Sequence, residues 1–195
     1  MKKYRLFSIF LLISVLLAAC ARSKAITFYV LNPIPPSMVH KNPNPNLRIG
    51  INTIQTPDYI QKNEIMIHCT PQKLKLEEDY QWAEDLNKNI SRVIMANLNT
   101  MIPEAVFENS PWNSDFKPKY TLQINITEFE IDISGNSILR AAYLIYRNDE
   151  IVLKRQVFYK TNVPMINMDS LVNSMNINIK KLTDDMAKSF RTKIK

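Results

Sequence analysis

Glycine is almost absent from this sequence. Only Gly50 and Gly135 occur among its 195 residues. A phosphate-binding P-loop, a dinucleotide-binding G-x-G-x-x-G turn and the G-x-S-x-G turn of many hydrolases each need at least two glycines close together. The sequence therefore excludes all three of these nucleotide-binding and hydrolase motifs.

Histidine and cysteine are equally scarce. The histidines are His40 and His68, and the cysteines are Cys20 and Cys69. His68 and Cys69 are adjacent in a stretch with strand character, so their side chains are expected on opposite faces and cannot form a catalytic pair. No cluster of side chains has the spacing of a zinc site. We predict no catalytic residue, no metal and no bound cofactor, and therefore a protein that is not an enzyme.

The charge of the chain argues against nucleic acid as a partner. The net charge is +7, and it falls to +4 when a signal peptide carrying Lys2, Lys3 and Arg5 is removed. No run of Lys and Arg and no alternation of basic with aromatic residues is present, so nucleic acid is not predicted to bind. A mildly basic surface is instead typical of proteins that lie beside anionic phospholipid headgroups.

The first 20 residues have the pattern of a signal peptide. A basic start is followed by an almost wholly apolar stretch over residues 6–17, which is too short to span a bilayer. An ordinary signal peptide has no use for a cysteine after its cleavage site. The segment Leu17-Ala18-Ala19-Cys20, however, resembles the lipobox of bacterial lipoproteins. We predict cleavage after Ala19 and a lipid attached to the thiol of Cys20.

The predicted anchor holds the folded domain close to a membrane. A lipoprotein cysteine carries two or three acyl chains, and each buried methylene contributes about 0.8 kcal/mol to anchoring. Four or five extended residues after the anchor reach only about 15 Å. In enteric bacteria an Asp after the lipidated cysteine favours the inner membrane, so Ala21 is typical of an outer-membrane lipoprotein. The predicted location is the periplasmic face of the outer membrane.

The clearest predicted element is a helix over residues 86–102. Its apolar residues repeat at a period of 3.6, and Pro103 ends it. Ile94 lies near the middle of the apolar stripe and is expected in the core. Asn89 lies outside the stripe and is expected to tolerate substitution.

The rest of the chain is predicted to be mostly strands, followed by a second helix. Apolar residues from Leu171 to Phe190 indicate this helix, with Asp169 or Ser170 as its N-cap. Alternation changes phase at Thr127-Glu128, which predicts a bulge in a long strand. Glu77-Glu78-Asp79 is expected in a solvated turn. Strands are predicted over residues 25–31, 47–52, 64–69, 72–76, 120–133, 138–146 and 151–159.

These elements predict an α+β fold. It has two layers: a mostly antiparallel sheet of about six strands, with both long amphipathic helices packed on one face. Residues 1–19 form the signal peptide, 20–24 a lipidated tether and 25–195 a single domain. With Cys20 lipidated, Cys69 has no disulfide partner and is expected to be a small buried hydrophobe.

Four segments of the mature chain resemble a known family. Together and in this order they are similar to the ABC-type transport auxiliary lipoproteins, also described as PqiC-like lipoproteins. The block Trp82-Ala83-Glu84 is the most specific part of the resemblance. Asp85 stands where the family has Pro, and Lys62-Asn63 stands where it has Arg-Pro. The four segments are TFYVL (27–31), TPDYIQKNEIMIH (56–68), LKLEEDYQWAEDLNKNISRVIMANL (74–98) and SPW (110–112).

The resemblance implies a role in lipid transport between membranes. The protein would be the lipid-anchored periplasmic component of an ABC/MCE-type system, and it would dock an MCE-domain protein at the outer membrane. Through that bridge it would connect to an inner-membrane permease and ATPase. The same resemblance implies a ring of identical subunits and a lipoprotein without enzymatic activity.

Four residues are candidates for contacting a partner. Tyr59 and Trp82 are large aromatics beside turns, where such side chains either anchor an interface or fill the end of a core. Met165 and Ile166 lie in an apolar loop that either caps the core or contacts a partner. Two other functions stay open: a plug or assembly chaperone for an outer-membrane barrel, and a periplasmic hydrolase with an unrecognised site.

Overall fold

The structure is a computed structural model, and it describes residues 25–36, 42, 44 and 46–193. These residues form eight strands, two α-helices and a short 3₁₀ helix at Asp58–Gln61. In chain order the elements are β1 (Thr27–Tyr29), β2 (Arg48–Ile51), β3 (Glu64–Thr70), β4 (Lys73–Trp82), α1 (Leu86–Met101), β5 (Val106–Asn109), β6 (Tyr120–Asp132), β7 (Asn136–Arg147), β8 (Glu150–Asn162) and α2 (Met168–Lys193).

The predicted signal peptide and lipid anchor lie outside the described residues. This applies to the cleavage site after Ala19, to Cys20 and to the tether over residues 20–24. Within the part of the chain that is described, no helix is both long enough and apolar enough to cross a membrane. Membrane attachment through Cys20 therefore stays a prediction.

The long strand β6 organises a forked sheet. One edge of β6 pairs antiparallel with β7, and β7 pairs antiparallel with β8. The other edge of β6 pairs in parallel with β2 near its start and with β3 near its end. Beyond β2 lies β5, and beyond β3 lie β4 and then β1. The sheet therefore has one continuous half and one half that divides into two branches.

The alternation predicted for β6 is observed, including its interruption. Ile124, Ile126, Phe129 and Ile131 are buried against the helices. The pairing with β7 shifts register between Ile126 and Glu128, as a bulge at this place requires. The bulge keeps apolar side chains on the helix side along the whole strand.

The first helix begins at the predicted residue and ends one residue earlier than predicted. Asp85 is its N-cap, and the Asp85 carboxylate accepts a 3.0 Å hydrogen bond from the backbone N–H of Lys88. Ile94 is fully buried, as the apolar stripe predicts. The helix ends at Met101, two residues before Pro103, where a proline prevents continuation.

The predicted cap of the second helix is wrong. Asn167 takes this role, because its Oδ1 accepts a hydrogen bond from the backbone N–H of Ser170 at 2.8 Å. Asp169 lies inside the first turn and accepts a hydrogen bond from the hydroxyl of Tyr29 at 2.6 Å. A carboxylate in the first turn is favourable to the helix dipole, so Asp169 supports the helix start without capping it.

The predicted fold class is confirmed, with differences in the sheet. The sheet has eight strands instead of about six, and β5 is the one that matches none of the predicted strands. Its long ladders are antiparallel, whereas the four parallel pairings are short. The acidic run Glu77-Glu78-Asp79 lies within β4 and does not form a turn. Cys69 is half-buried near the end of β3, whereas the prediction was a buried side chain.

The expectation for Asn89 is also wrong. Its side chain is 1 % exposed, on the inner side of α1. The amide Oδ1 accepts a hydrogen bond from the backbone N–H of Leu31 at 2.7 Å, and Nδ2 donates to the Leu31 carbonyl at 3.0 Å. Asn97, about two helical turns further along α1, binds the same segment, because its Oδ1 accepts a hydrogen bond from the backbone N–H of Ile34 at 2.8 Å. Both asparagines thus replace the strand partner that this segment lacks.

Candidate interaction surfaces

The block Trp82-Ala83-Glu84-Asp85 joins β4 to α1 and closes β1 onto the sheet. The backbone N–H of Ala83 donates to the carbonyl of Tyr29 at 2.8 Å. Glu84 accepts a hydrogen bond from Arg92 at 2.7 Å, across the first turns of the helix. Asp85 starts the helix as its N-cap.

Trp82 is buried in this junction. Its side chain is 7 % exposed and belongs to the hydrophobic core. Its backbone N–H donates to the carbonyl of Asn63 at 2.7 Å, which ties the end of β4 to the start of β3. A side chain this buried offers a partner little surface, so the geometry favours the core-filling alternative. Its role in partner binding stays a prediction.

Tyr59 lies in the 3₁₀ helix and reaches the open face of the sheet, the face opposite the helices. Its hydroxyl donates to Glu130 Oε2 at 3.2 Å, and the same oxygen lies 2.6 Å from His68 Nε2. Burial, and then the negative charge of Glu130, raise the pKa of Tyr59 to about 12. The hydrogen bond from Tyr59 to Glu130 holds the segment between β2 and β3 against β6, where the sheet divides into its two branches. Tyr59 is half-buried, so part of its ring remains available to a partner.

Met165 and Ile166 are the most accessible of the four candidates. Met165 is 68 % exposed and Ile166 is 55 % exposed, in the loop between β8 and α2. The loop is held against the β6–β7 turn, because the backbone N–H of Val163 donates to the carbonyl of Gly135 at 2.9 Å. Gly135 has a left-handed φ of +77°, and a Cβ there would lie 3.1 Å from Ile166 Cγ1. This packing fixes the loop while leaving its two apolar side chains in solvent.

Sequence reasoning missed an exposed contact on the open face of the sheet. Arg140 on β7 binds Glu128 Oε1 at 2.9 Å, and its guanidinium lies 4.7 Å from the ring centre of Phe158 on β8. Arg140 and Phe158 are direct cross-strand partners. The alternation in β8 could have placed Phe158 on this face, but only the pairing register brings it to Arg140.

The polar groups described here form no recognisable reaction centre. Within the described part of the chain, no three His, Cys, Asp or Glu residues are grouped as a metal site requires. Tyr59, His68 and Glu130 are joined by contacts that fix segments of the sheet. That the protein is not an enzyme therefore stays a prediction, which the structure does not test.

The fold matches solved structures. A crystal structure of an uncharacterised protein superposes with a TM-score of 0.72 at 17% sequence identity, covering 85% of this chain and 99% of the other. A crystal structure of a Xanthomonas campestris protein gives a TM-score of 0.66 at 14% identity, covering 83% and 92%. At these identities the likeness establishes the fold alone.

Sequence comparison gives the family. The chain is 23% identical over 137 residues to the intermembrane transport lipoprotein PqiC of Escherichia coli K12, covering 70% of this chain and 72% of the relative. The same protein of Shigella flexneri matches equally. The family model for the ABC-type transport auxiliary lipoprotein component matches residues 29–187. Since this match runs from the end of β1 into the last turns of α2, the chain belongs to the family of ABC-type transport auxiliary lipoprotein components.

Proposed function

We propose that this auxiliary lipoprotein serves an ABC/MCE-type system that moves lipids between the two membranes. In this proposal it is anchored through Cys20 to the periplasmic face of the outer membrane. There it docks the MCE-domain protein that spans the periplasm, and through it connects to an inner-membrane permease and ATPase. Subunits of this chain would assemble as a ring around the docked bridge.

The observation that carries the proposal is the family match over residues 29–187. It covers almost every described element, so the likeness concerns the whole domain and not one motif. The curated relatives are described as intermembrane transport lipoproteins, and this chain covers 72% of their length. The family is one of transport components and not a class of enzymes.

The sequence at the N-terminus supports the proposed location. The lipobox-like Leu17-Ala18-Ala19-Cys20 gives a lipid anchor, and Ala21 is typical of outer-membrane sorting. The tether that follows is too short to let the domain leave the membrane by more than about 15 Å. A bridging protein must therefore come to this domain, which suits a docking component.

A pull-down of the full-length lipidated chain in mild detergent tests the docking. The bait is incubated with the MCE-domain protein of the same organism, without added nucleotide or metal. We expect association at micromolar concentration. The variants compared are Tyr59→Ala, Trp82→Ala and the pair Met165→Asp/Ile166→Asp. Their control is Ile151→Asp, which changes an exposed apolar residue at the start of β8. A change that removes an interface anchor costs about 2 kcal/mol or more, roughly thirtyfold in affinity.

Circular dichroism of each variant separates binding from folding. Loss of association with an intact fold marks an interface residue, whereas loss of fold, which we expect for Trp82→Ala, marks a core residue. Absence of association between the folded wild-type chain and every MCE protein of its organism would refute the docking function. Co-purification of an outer-membrane barrel instead would favour the plug or assembly-chaperone alternative.

A further inference from the structure

Three turns meet at one end of the domain. They are the β3–β4 turn after Thr70, the β6–β7 turn at Ile133–Gly135 and the loop at 163–167 that leads into α2. The backbone N–H of Ile133 donates to the carbonyl of His68 at 3.1 Å, which joins the first two turns. The hydrogen bond from the backbone N–H of Val163 to the carbonyl of Gly135 joins the loop at 163–167 to the β6–β7 turn. We name this the hairpin end.

The hairpin end exposes an unusual amount of apolar surface. Leu74, Ile133, Met165 and Ile166 are all exposed there. They come from three separate segments of the chain. Several exposed large hydrophobic side chains grouped at one place mark a site that meets a membrane or another protein. Ile151 is comparably exposed, at 57 %, but it stands at the opposite end of the sheet.

The direction of β1 brings the lipid anchor to the same end. β1 pairs in parallel with β4, so the chain before Thr27 lies on the side from which β4 starts. β4 starts at Lys73, in the turn of the hairpin end. Thr27 itself lies beside Tyr80, seven residues along β4 from Lys73, so the chain before Thr27 runs back toward the hairpin end from a point well short of it. Two further exposed apolar residues, Ile26 and Phe28, flank Thr27.

The length of the tether limits where the membrane can be. Four residues, 21–24, separate Ala25 from Cys20, so the five steps of the chain between these two Cα atoms span at most about 18 Å when extended. Phe28 of β1 and Glu64 of β3 both pair with Gln81 of β4, so they lie at the same level of the sheet. From Glu64 to Thr70, at the hairpin end, β3 spans about 20 Å at the usual rise per residue. The anchor thus has about the reach needed to place the bilayer at the hairpin end, and it is far too short to reach the opposite end of the thirteen-residue strand β6.

The charges at the hairpin end suit an anionic surface. Lys73 and Lys75 alternate with Leu74 and Leu76 along β4, so the two ammonium groups lie on the opposite face of the strand from the leucines, where Glu77 binds Lys75 at 2.9 Å. The carboxylate of Asp132 is turned into its own turn, where it accepts hydrogen bonds from the backbone N–H groups of Ser134 and Asn136 at 2.8 and 2.9 Å. Lysine stems can lie along apolar surface while their charges remain among headgroups.

We propose that the hairpin end rests on the phospholipid bilayer, with Leu74, Ile133, Met165 and Ile166 inserted at the boundary between headgroups and acyl chains. This inference rests on the lipid anchor of the proposed function and not on MCE docking. It fixes the orientation of the domain: the β7–β8 turn at Asn148-Asp149 faces the periplasm. It also assigns Met165 and Ile166 to the membrane instead of to the protein partner.

Quenching of tryptophan by brominated lipids tests this orientation. The full-length lipidated chain is reconstituted in nanodiscs of phosphatidylethanolamine and phosphatidylglycerol, with or without bromine on the acyl chains. Tryptophan is introduced as Ile166→Trp, Leu74→Trp or, as the matched control, Ile151→Trp. The unsubstituted chain supplies the background from Trp82 and Trp112. Interfacial insertion of about 5–10 Å brings a side chain to the acyl boundary, so we expect about a twofold loss of the added emission at 166 and 74. We expect no loss at 151.

Mass spectrometry of the N-terminal peptide reports separately whether Cys20 is acylated. An acylated chain without quenching at 166 and 74 would overturn the orientation while leaving MCE docking intact. Equal quenching at all three positions would also overturn it. A chain without acyl groups would overturn the anchored location and the orientation together. If emission at 166 responds to the MCE protein in detergent but not to brominated lipid, the loop belongs to the protein partner and the proposal is wrong.

Discussion

Asn89 of α1 binds both backbone groups of Leu31. Its Oδ1 accepts from the Leu31 N–H at 2.7 Å, and its Nδ2 donates to the Leu31 carbonyl at 3.0 Å. Leu31 itself is fully buried. A single amide side chain therefore gives this segment the two hydrogen bonds that a neighbouring strand would otherwise supply, where water has no access.

Asn89→Asp should destabilise the domain. The carboxylate can still accept from the Leu31 N–H, but it has no N–H to donate, and it places a negative charge against the Leu31 carbonyl in a buried site. We expect a loss of about 3 kcal/mol in the free energy of unfolding, measured by urea denaturation. Asn173→Asp, on the exposed side of α2, is the matched control and should change stability by less than about 0.5 kcal/mol. Equal midpoints for the two variants would contradict the role of Asn89.

The case of Asn89 shows what could be predicted from sequence and what could not. Periodicity located both helices, and it placed the bulge of β6 because the phase of alternation changes at Thr127-Glu128. Periodicity also treats every Asn as a surface residue. The partner of Asn89 is a backbone segment 58 residues away, and no local pattern carries that information. β5 was missed for a related reason, since four residues are too few to establish a period and its partner β2 is distant in sequence.

Ile94→Asp tests the core beneath the first helix. The side chain of Ile94 is fully buried against α2 and the sheet, so an aspartate there would be a charge without a partner. We expect a loss of at least about 4 kcal/mol, which is a large part of the stability of a typical domain. Ile177→Asp is the control, because Ile177 on α2 is exposed. Thermal melts followed by circular dichroism should separate the two variants, and similar melting temperatures would mean that the stripe is not core.

Cys20→Ala should abolish lipidation. The predicted lipobox offers one thiol, and alanine cannot form the thioether. We expect an unlabelled, uncleaved precursor after metabolic labelling with a tagged palmitate. Cys69→Ala is the control and should keep its label, since Cys69 belongs to the folded domain. A labelled Cys20→Ala protein would show that the lipid is attached elsewhere.

The candidate surface could be predicted only in part. The apolar character of Met165 and Ile166 is visible in the sequence, but their exposure, and the burial of Trp82, depend on packing. The hairpin end exists because β3 pairs in parallel with β6, with Ile67 beside Ile131. That pairing brings two turns together across more than sixty residues of sequence. Residue type alone cannot distinguish a buried tryptophan from an exposed anchor until this register is known.

The Tyr59–Glu130 contact predicts a loss of stability at high pH. Burial, together with the negative charge of Glu130, raises the pKa of the Tyr59 hydroxyl from 10.0 to about 12 in the folded protein. In the unfolded chain the hydroxyl loses its proton near pH 10. Between these values the unfolded state binds fewer protons than the folded state, so the free energy of unfolding falls as pH rises. The stabilising contribution of this hydroxyl is complete below pH 10 and is lost as the pH passes through about 12.

Ultraviolet titration of tyrosinate compares the wild type with Tyr59→Phe. The difference between the two curves isolates Tyr59, and its midpoint should lie near pH 12. Denaturant unfolding at pH 9 and pH 11 should show a smaller loss of stability for Tyr59→Phe than for the wild type, because phenylalanine has no proton to release. Phenylalanine keeps the ring in its half-buried place, so packing is matched. A midpoint near pH 10 in the difference curve would mean that Tyr59 is free of Glu130 in solution, and that the segment between β2 and β3 is not fixed across the fork of the sheet.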